Sequence, residues 1–261
     1  MEYVKIDSTT TDTRKFTEDS VEITAPSIPT VYTAAELEAA VAIQTSGQFI
    51  YLAPGTYILT KQLVIPWAAR GGGLIGLGDV TITGAVDADS ALSIIAYVGG
   101  TMEYTLGGSI EIGGGAGKIG LSITTGAITE KTIVYITGAV HFVDNGVGIG
   151  FSAVHTGTGA LRVYACCELG TGWDTVLITC KTASDKFHFR GISFDETLTL
   201  TAVVIAADFY FESCQVPLAG DVIGGNATMV CNIVNCWTRA STAVVAVNSS
   251  TDFPDFTPTV I

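Results

Sequence analysis

The fold class this sequence predicts is all-β: a single-stranded parallel β-helix, a solenoid with a short N-terminal capping helix and an extended N-terminal arm. Two observations predict it. The first is a repeat at a constant interval. FHFRGISF from Phe187, FYFESCQV from Phe209 and CNIVNCWT from Cys231 align so that Phe187, Phe209 and Cys231 share one column. Phe189, Phe211 and Ile233 share a second, and Ile192, Cys214 and Cys236 a third. Apolar residues two apart, with His188, Tyr210 or Asn232 between them, are the signature of a strand with one buried face. A strand that returns at a constant interval with the same columns filled indicates stacked coils. The second observation is composition. Hydrophobic content of 48% against 14% charge is what near-continuous buried strands require, while 30 glycines supply turns and seven prolines are too few for a disordered chain.

The 261 residues suit one solenoid, divided as an arm over 1–31, the coils over 32–250 and a tail over 251–261. The arm is rich in Thr, Ser and Asp, and Pro26 and Pro29 block a helix at its end. Its apolar residues, Tyr3, Val4, Ile6, Phe16, Val21 and Ile23, are too few to form a core of their own. They are the candidate partner-binding residues, which become ordered on another chain's sheet edge.

The capping helix is expected over about 33–43, in TAAELEAAVA. Thr33 and Glu36 form a capping box, and Leu37, Ala40 and Val41 fall on one face, a natural lid for the open end of a solenoid. After it come FIYLAPGTYILTKQLVI and GGGLIGLGDVTITG. The order of helix, IYLAPGTY, QLVI and LIGLGDVTITG resembles the N-terminal part of pectin-lyase-like right-handed β-helix proteins over Thr33 to Gly84. Between Ala91 and Ile178, SIEI at Ser109, IVYI at Ile133 and LRVY at Leu161 read as strands at ragged spacing. Coils of about 22 residues predict about nine in all, a rod of about 43 Å. The tail, with Phe253, Phe256, Val260 and Ile261, is expected to cover the last coil.

The resemblance implies activity on polysaccharides, and the motifs that would carry it are absent. Pectate lyases of this type have an Arg-x-Pro-x-x-Arg segment beside a calcium cluster. Polygalacturonase-like members carry Asn-Thr-Asp, Asp-Asp, Gly-His-Gly and Arg-Ile-Lys. None of these occurs here. The nearest arrangement of acids is on the outward ladder, where Arg190 and Glu212 fall in adjacent coils beside His188, Tyr210 and Asn232. A cross-strand ion pair that steadies the stack is the first reading of it, and a sugar-binding row the second.

Gly71, Gly73 and Gly76 match G-x-G-x-x-G without the flanking elements of a dinucleotide site, and Gly117-Lys118 lacks the rest of a phosphate loop. Both are expected to be turns, as are Asp87 and Asp89. His141 and His155 have no partner legible in the sequence. The six cysteines lack zinc spacing; Cys214 and Cys236 are expected as stacked thiols, against a disulfide or metal site. No cofactor or metal is expected.

The net charge of −13 argues against nucleic acid and anionic membrane as partners. MEYVKIDSTTTDTRK has no apolar core, so a secretory route is not expected. The combination leads to a non-enzymatic structural protein of a virus particle, a bacteriophage capsid decoration or appendage protein made in the host cytoplasm and held by its arm. Its expected partners are copies of itself, as a trimer among other oligomers, or capsid proteins. The alternative is a carbohydrate-binding or polysaccharide-degrading β-helix protein.

Overall fold

The computed structural model describes residues 13–16, 21–24, 30–95, 100–125, 131–145, 148–196, 198–202, 207–216, 222–223 and 230–238. From Phe49 the chain winds as a parallel β-helix whose coils present three faces. The first face contains Phe49–Leu52, the first halves of five long strands (Gly72–Thr83, Met102–Gly113, Lys131–Val143, Ala160–Trp173 and Lys186–Phe194), then Asp208–Glu212 and Val230–Val234. The second holds Gly55–Ile58, the second halves of those long strands, Gln215–Val216 and Trp237–Thr238. The third is a seven-stranded sheet from Leu63–Ile65 to Val222–Ile223. All pairings between coils are parallel. Among the described residues seven coils have a strand on every face, and an eighth has strands on two.

The columns read from the sequence are the registers of the sheet. Phe187 pairs with Phe209 and Phe209 with Cys231; Phe189 pairs with Phe211 and Phe211 with Ile233. The Phe187 and Phe209 rings stack at 5.2 Å, and Phe189 and Phe211 lie 5.3 Å apart, all four within the core. Below them Trp173 packs edge-on against Phe142 at 4.8 Å and donates its indole N–H to the Val140 carbonyl at 2.9 Å, which satisfies the one polar atom it buries.

Among the described residues the coils number seven complete ones and a partial eighth, against about nine expected, and the middle coils are longer than the repeat. On the first face the register runs from Gly73 to Thr105, then to Tyr135 and Tyr164, wide steps in the chain. From Tyr164 the steps shorten, through His188 to Tyr210 and Asn232, where they reach the constant interval seen in the sequence. Part of the extra length is taken up inside the long strands, where the register shifts between Gly76 and Val80, between Gly138 and Phe142 and between Cys166 and Thr171.

One corner imposes a backbone constraint. Gly108, Gly138 and Gly191 turn between the first and second faces at φ of 83°, 82° and 77°. A Cβ on Gly108 would lie 2.1 Å from the Gly76 carbonyl oxygen of the coil below. In the last two coils Ser213 and Asn235 hold the same corner at 51° and 52°, a conformation that short polar residues tolerate better than others do. Gly73 and Gly76, expected as turn glycines, are corrected to strand positions: at Gly73 a Cβ would meet the Thr105 carbonyl at 2.4 Å. Gly71, at φ 74°, is a turn residue as expected.

The capping helix runs Ala34–Ala42 with the capping box formed: Glu36 N–H donates to the Thr33 hydroxyl at 3.2 Å, and the Glu36 carboxylate accepts from the N–H groups of Tyr32 and Thr33 at 2.7 and 3.2 Å. Leu37 and Val41 are buried against the first coil, and Glu38 ties the helix to Thr60 through its N–H at 2.6 Å. Within the arm, Thr13–Phe16 and Val21–Thr24 pair antiparallel as a two-stranded sheet of their own. The Val21–Ile23 piece, expected to be open to another chain, therefore has a partner inside the arm. Tyr3, Val4, Ile6 and the 251–261 tail lie outside the described residues. Among the described residues no helix is long and apolar enough to cross a membrane.

Candidate functional site

Successive side chains of a strand point to opposite sides, so the residues between the core phenylalanines face outward. On the first face this produces a column through Thr105, Tyr135, Tyr164, His188 and Tyr210, each the register partner of the next. Four of these side chains are rings in consecutive coils. Tyr135 and Tyr164 stack at 5.7 Å, the His188 ring meets Tyr164 edge-on at 5.2 Å, and Tyr210 follows at 5.6 Å. Tyr135 is 37% exposed. A shallow groove of about 220 Å³ runs beside the ladder, lined by Tyr164, Cys166, His188, Arg190, Tyr210 and Glu212.

Charged groups flank the rings on both sides. Arg190 Nε lies 3.8 Å from Glu212 Oε1 on one side, as the sequence spacing implied. On the other, Lys186 Nζ and His188 Nε2 lie 3.4 and 3.7 Å from Asp208 Oδ2. The structure thus brings His188, Arg190, Tyr210 and Glu212 together on one surface, with Asn232 at the next rung of the backbone ladder. Sequence reasoning missed Tyr135 and Tyr164, the lower half of the ladder. The signal was present in IVYI and LRVY, each with Tyr after an inward Val, but the longer coil between them hid the alignment.

His141 and His155, whose partners were not legible in the sequence, both have them. His155 Nδ1 lies 2.8 Å from both oxygens of Asp185, and neither side chain is exposed. Asp185 also accepts from the N–H groups of Leu161, Lys181 and Thr182 at 2.8, 2.9 and 3.0 Å. Burial pushes the Asp185 carboxyl up, but the His155 ring and these amides outweigh it and hold it below the usual carboxylate range. A carboxylate with this many donors is an acceptor only, so His155 has its proton on Nδ1. His141 Nδ1 accepts from the Gly172 N–H at 3.0 Å.

Acids also meet at the corner between the second and third faces, a grouping the sequence did not reveal. The Thr175 hydroxyl lies 3.2 Å from Asp144 Oδ2 and 3.1 Å from Glu196 Oε2, so one hydroxyl serves two carboxyl groups from different coils. Asp174 Oδ2 accepts the Asp144 N–H at 3.2 Å. A hydrogen bond that the protonated Glu196 carboxyl donates to Asp144 raises Glu196, and partial burial with the charges of Asp144, Asp195 and Glu111 raises Asp174. Paired carboxyls with raised pKa are the raw material of acid–base chemistry. They stand across the second face from the tyrosine ladder, so the two do not form one site.

The remaining candidates are turns. Asp87 and Asp89 are exposed; Lys118, after the left-handed Gly117, lies 3.7 Å from Asp89. No group of three or more His, Cys, Asp or Glu among the described residues is placed to hold a metal ion.

No family model matches the chain, and no curated protein does. Among solved structures the chain is similar to pectin methylesterase from Aspergillus niger. For the deglycosylated form the identity is 14%, with 87% of this chain and 94% of that one covered and a TM-score of 0.48. For the penultimately deglycosylated form the identity is 13%, with 92% and 95% covered and a TM-score of 0.44. These are structures of an enzyme, against the expectation of a non-enzymatic protein, and at these identities the likeness concerns the fold. The architecture is that of an all-β parallel β-helix.

Proposed function

We propose that the first face binds a glycan, which lies along the ladder of Tyr135, Tyr164, His188 and Tyr210. The single observation that carries this reading is four rings on consecutive coils, partly open to solvent, in a solenoid that turns most of its phenylalanines inward. Rings one coil apart repeat about every 4.8 Å and offer a platform about 15 Å long. A sugar ring sets its C–H groups on an aromatic face, whose π electrons carry negative charge. Its hydroxyls need donors and acceptors close by, and Arg190, Glu212, Lys186 and Asp208 supply both on the two edges. A polysaccharide array followed by calorimetry on the best ligand tests this. Tyr164→Ala and Tyr210→Ala are each expected to weaken binding at least tenfold while leaving the far-ultraviolet spectrum unchanged. Wild-type protein that binds no glycan, or binds it as tightly without Tyr164, overturns the reading.

A second reading is favoured by a different observation: the strands Thr13–Phe16 and Val21–Thr24 form a sheet of their own. On this reading residues 1–31 attach the protein to a virus particle, or to sibling subunits in a symmetric oligomer such as a trimer. Deleting 1–31 then abolishes particle binding and leaves the unfolding transition of the coils in place. Unaltered attachment of the shortened protein rejects it.

A further inference from the structure

The last described coils hold two thiols that the glycan reading does not use. Gln215 pairs with Trp237 in parallel register, which sets Cys214 beside Cys236 one coil on, as the repeating column required. Adjacent strands of a sheet lie about 4.8 Å apart, and a disulfide needs Cα atoms about 4.4–6.8 Å apart. The Cys236 side chain leans back onto Cys214. The Cys214 N–H donates to Cys236 Sγ at 3.4 Å, and the Cys214 thiol is 3.4 Å from the carbonyls of Phe189 and Glu212. Cys214 is wholly buried and Cys236 half-buried, so an oxidant reaches the second and not the first.

No other pair of described cysteines is arranged in this way. Cys166 and Cys167 are neighbours in one strand and point to opposite sides, and Cys180 is buried beside Asp185. We propose that Cys214 and Cys236 are a modification site, where a low-molecular-weight disulfide such as oxidised glutathione closes an intramolecular bond that staples two successive coils.

The order of events follows from the two environments. The hydrogen bond from Cys214 holds the Cys236 thiol below its usual value, against the effects of burial and the nearby Glu212. The same contact, with burial, raises Cys214. Cys236 is therefore the attacking thiolate. Its sulfur attacks one sulfur of the oxidant, the S–S bond of the oxidant breaks, and one thiolate leaves. Cys214 then gives up its proton, to that thiolate or to water, and its sulfur attacks Cys236 Sγ in the mixed disulfide, expelling the second thiolate. The protein loses two electrons and two protons, and the oxidant becomes two thiols.

The test is equilibration of the intact, folded protein with oxidised and reduced glutathione at graded ratios, then acid quench, denaturation and alkylation. Alkylatable thiols are expected to fall from six to four, with a mass lower by two hydrogens. Cyanogen bromide cleavage at Met229 should leave the two flanking peptides joined until reduction. Cys231, which also follows Met229, is removed as a competitor by Cys231→Ser, which should retain the cross-link, whereas Cys236→Ser should lose it. Six thiols remaining at every ratio, glutathione held on Cys236 without ring closure, or a cross-link that survives Cys236→Ser would each overturn the proposal. Because wild-type protein alone decides the first two outcomes, a variant that fails to fold leaves the test intact.

Discussion

Two groups of carboxylates in this solenoid have opposite surroundings. Asp185 is sealed at a turn, with an imidazole N–H and three backbone N–H groups pointing at it. Asp144, Asp174 and Glu196 meet at an outer corner where the charges of Asp144, Asp195 and Glu111 act on Asp174 and those of Asp144 and Asp174 act on Glu196. Burial alone disfavours the charged form in both places. At Asp185 donors reverse that, and at the corner like charges reinforce it. Depth of burial therefore does not predict the sign of a carboxyl's shift in a β-helix; the count of donors against acids in the neighbouring coils does.

The largest effect expected from this contrast is at Asp185. Asp185→Ala leaves His155 and three amides buried without an acceptor, at a cost of roughly 3–5 kcal/mol. Urea unfolding at neutral pH measures it, and a loss under about 1 kcal/mol would show that water enters to replace the carboxylate.

The pH dependence sharpens the comparison next, because the two groups carry opposite signs. The folded Asp185 carboxyl lies below its unfolded value of about 3.9, so its contribution is complete above that value. It is lost as pH falls through the lower, folded value. Glu196 and Asp174 lie above their unfolded values. Whatever they contribute is complete below about pH 4 and is lost as pH rises through the raised, folded values. Unfolding midpoints collected from pH 2 to pH 8 should therefore climb on the acid side, and Asp185→Asn should flatten that limb alone.

At the corner itself, Glu196→Gln removes one charge from a crowded set and keeps an acceptor for Thr175. Stability at pH 7 should rise by roughly 0.5 kcal/mol, a gain that disappears near pH 3, where the carboxyls are protonated. A decrease at pH 7 would mean that the hydrogen bonds of Glu196 outweigh the repulsion.

The smallest effect is expected where neither burial nor crowding acts. Arg190 and Glu212 form a solvent-facing pair at 3.8 Å, and a double-mutant cycle to alanine should return roughly 0–1 kcal/mol of coupling. A larger value would place the outward ladder in the same class as Asp185.

The sequence by itself determined whatever depends on residues close along the chain or on a constant period. Alternation in FHFRGISF and FYFESCQV specified buried and exposed sides, and their constant interval specified which of them stack. The capping box of Thr33 and Glu36 was equally legible, since its partners lie within one helical turn. The upper half of the ring ladder, His188 and Tyr210, and the Arg190–Glu212 pair followed from the same interval. Only the tertiary structure decided the rest. Tyr135 and Tyr164 joined the ladder through coils longer than the repeat. His155 found Asp185 a full coil away, and Thr175 gathered Asp144 and Glu196 from the coils on either side. The physical reason is that a β-helix holds its strands in register by backbone hydrogen bonds while its turns and the register shifts within its long strands absorb extra residues. The spacing between contacts in space then has no fixed counterpart in the chain.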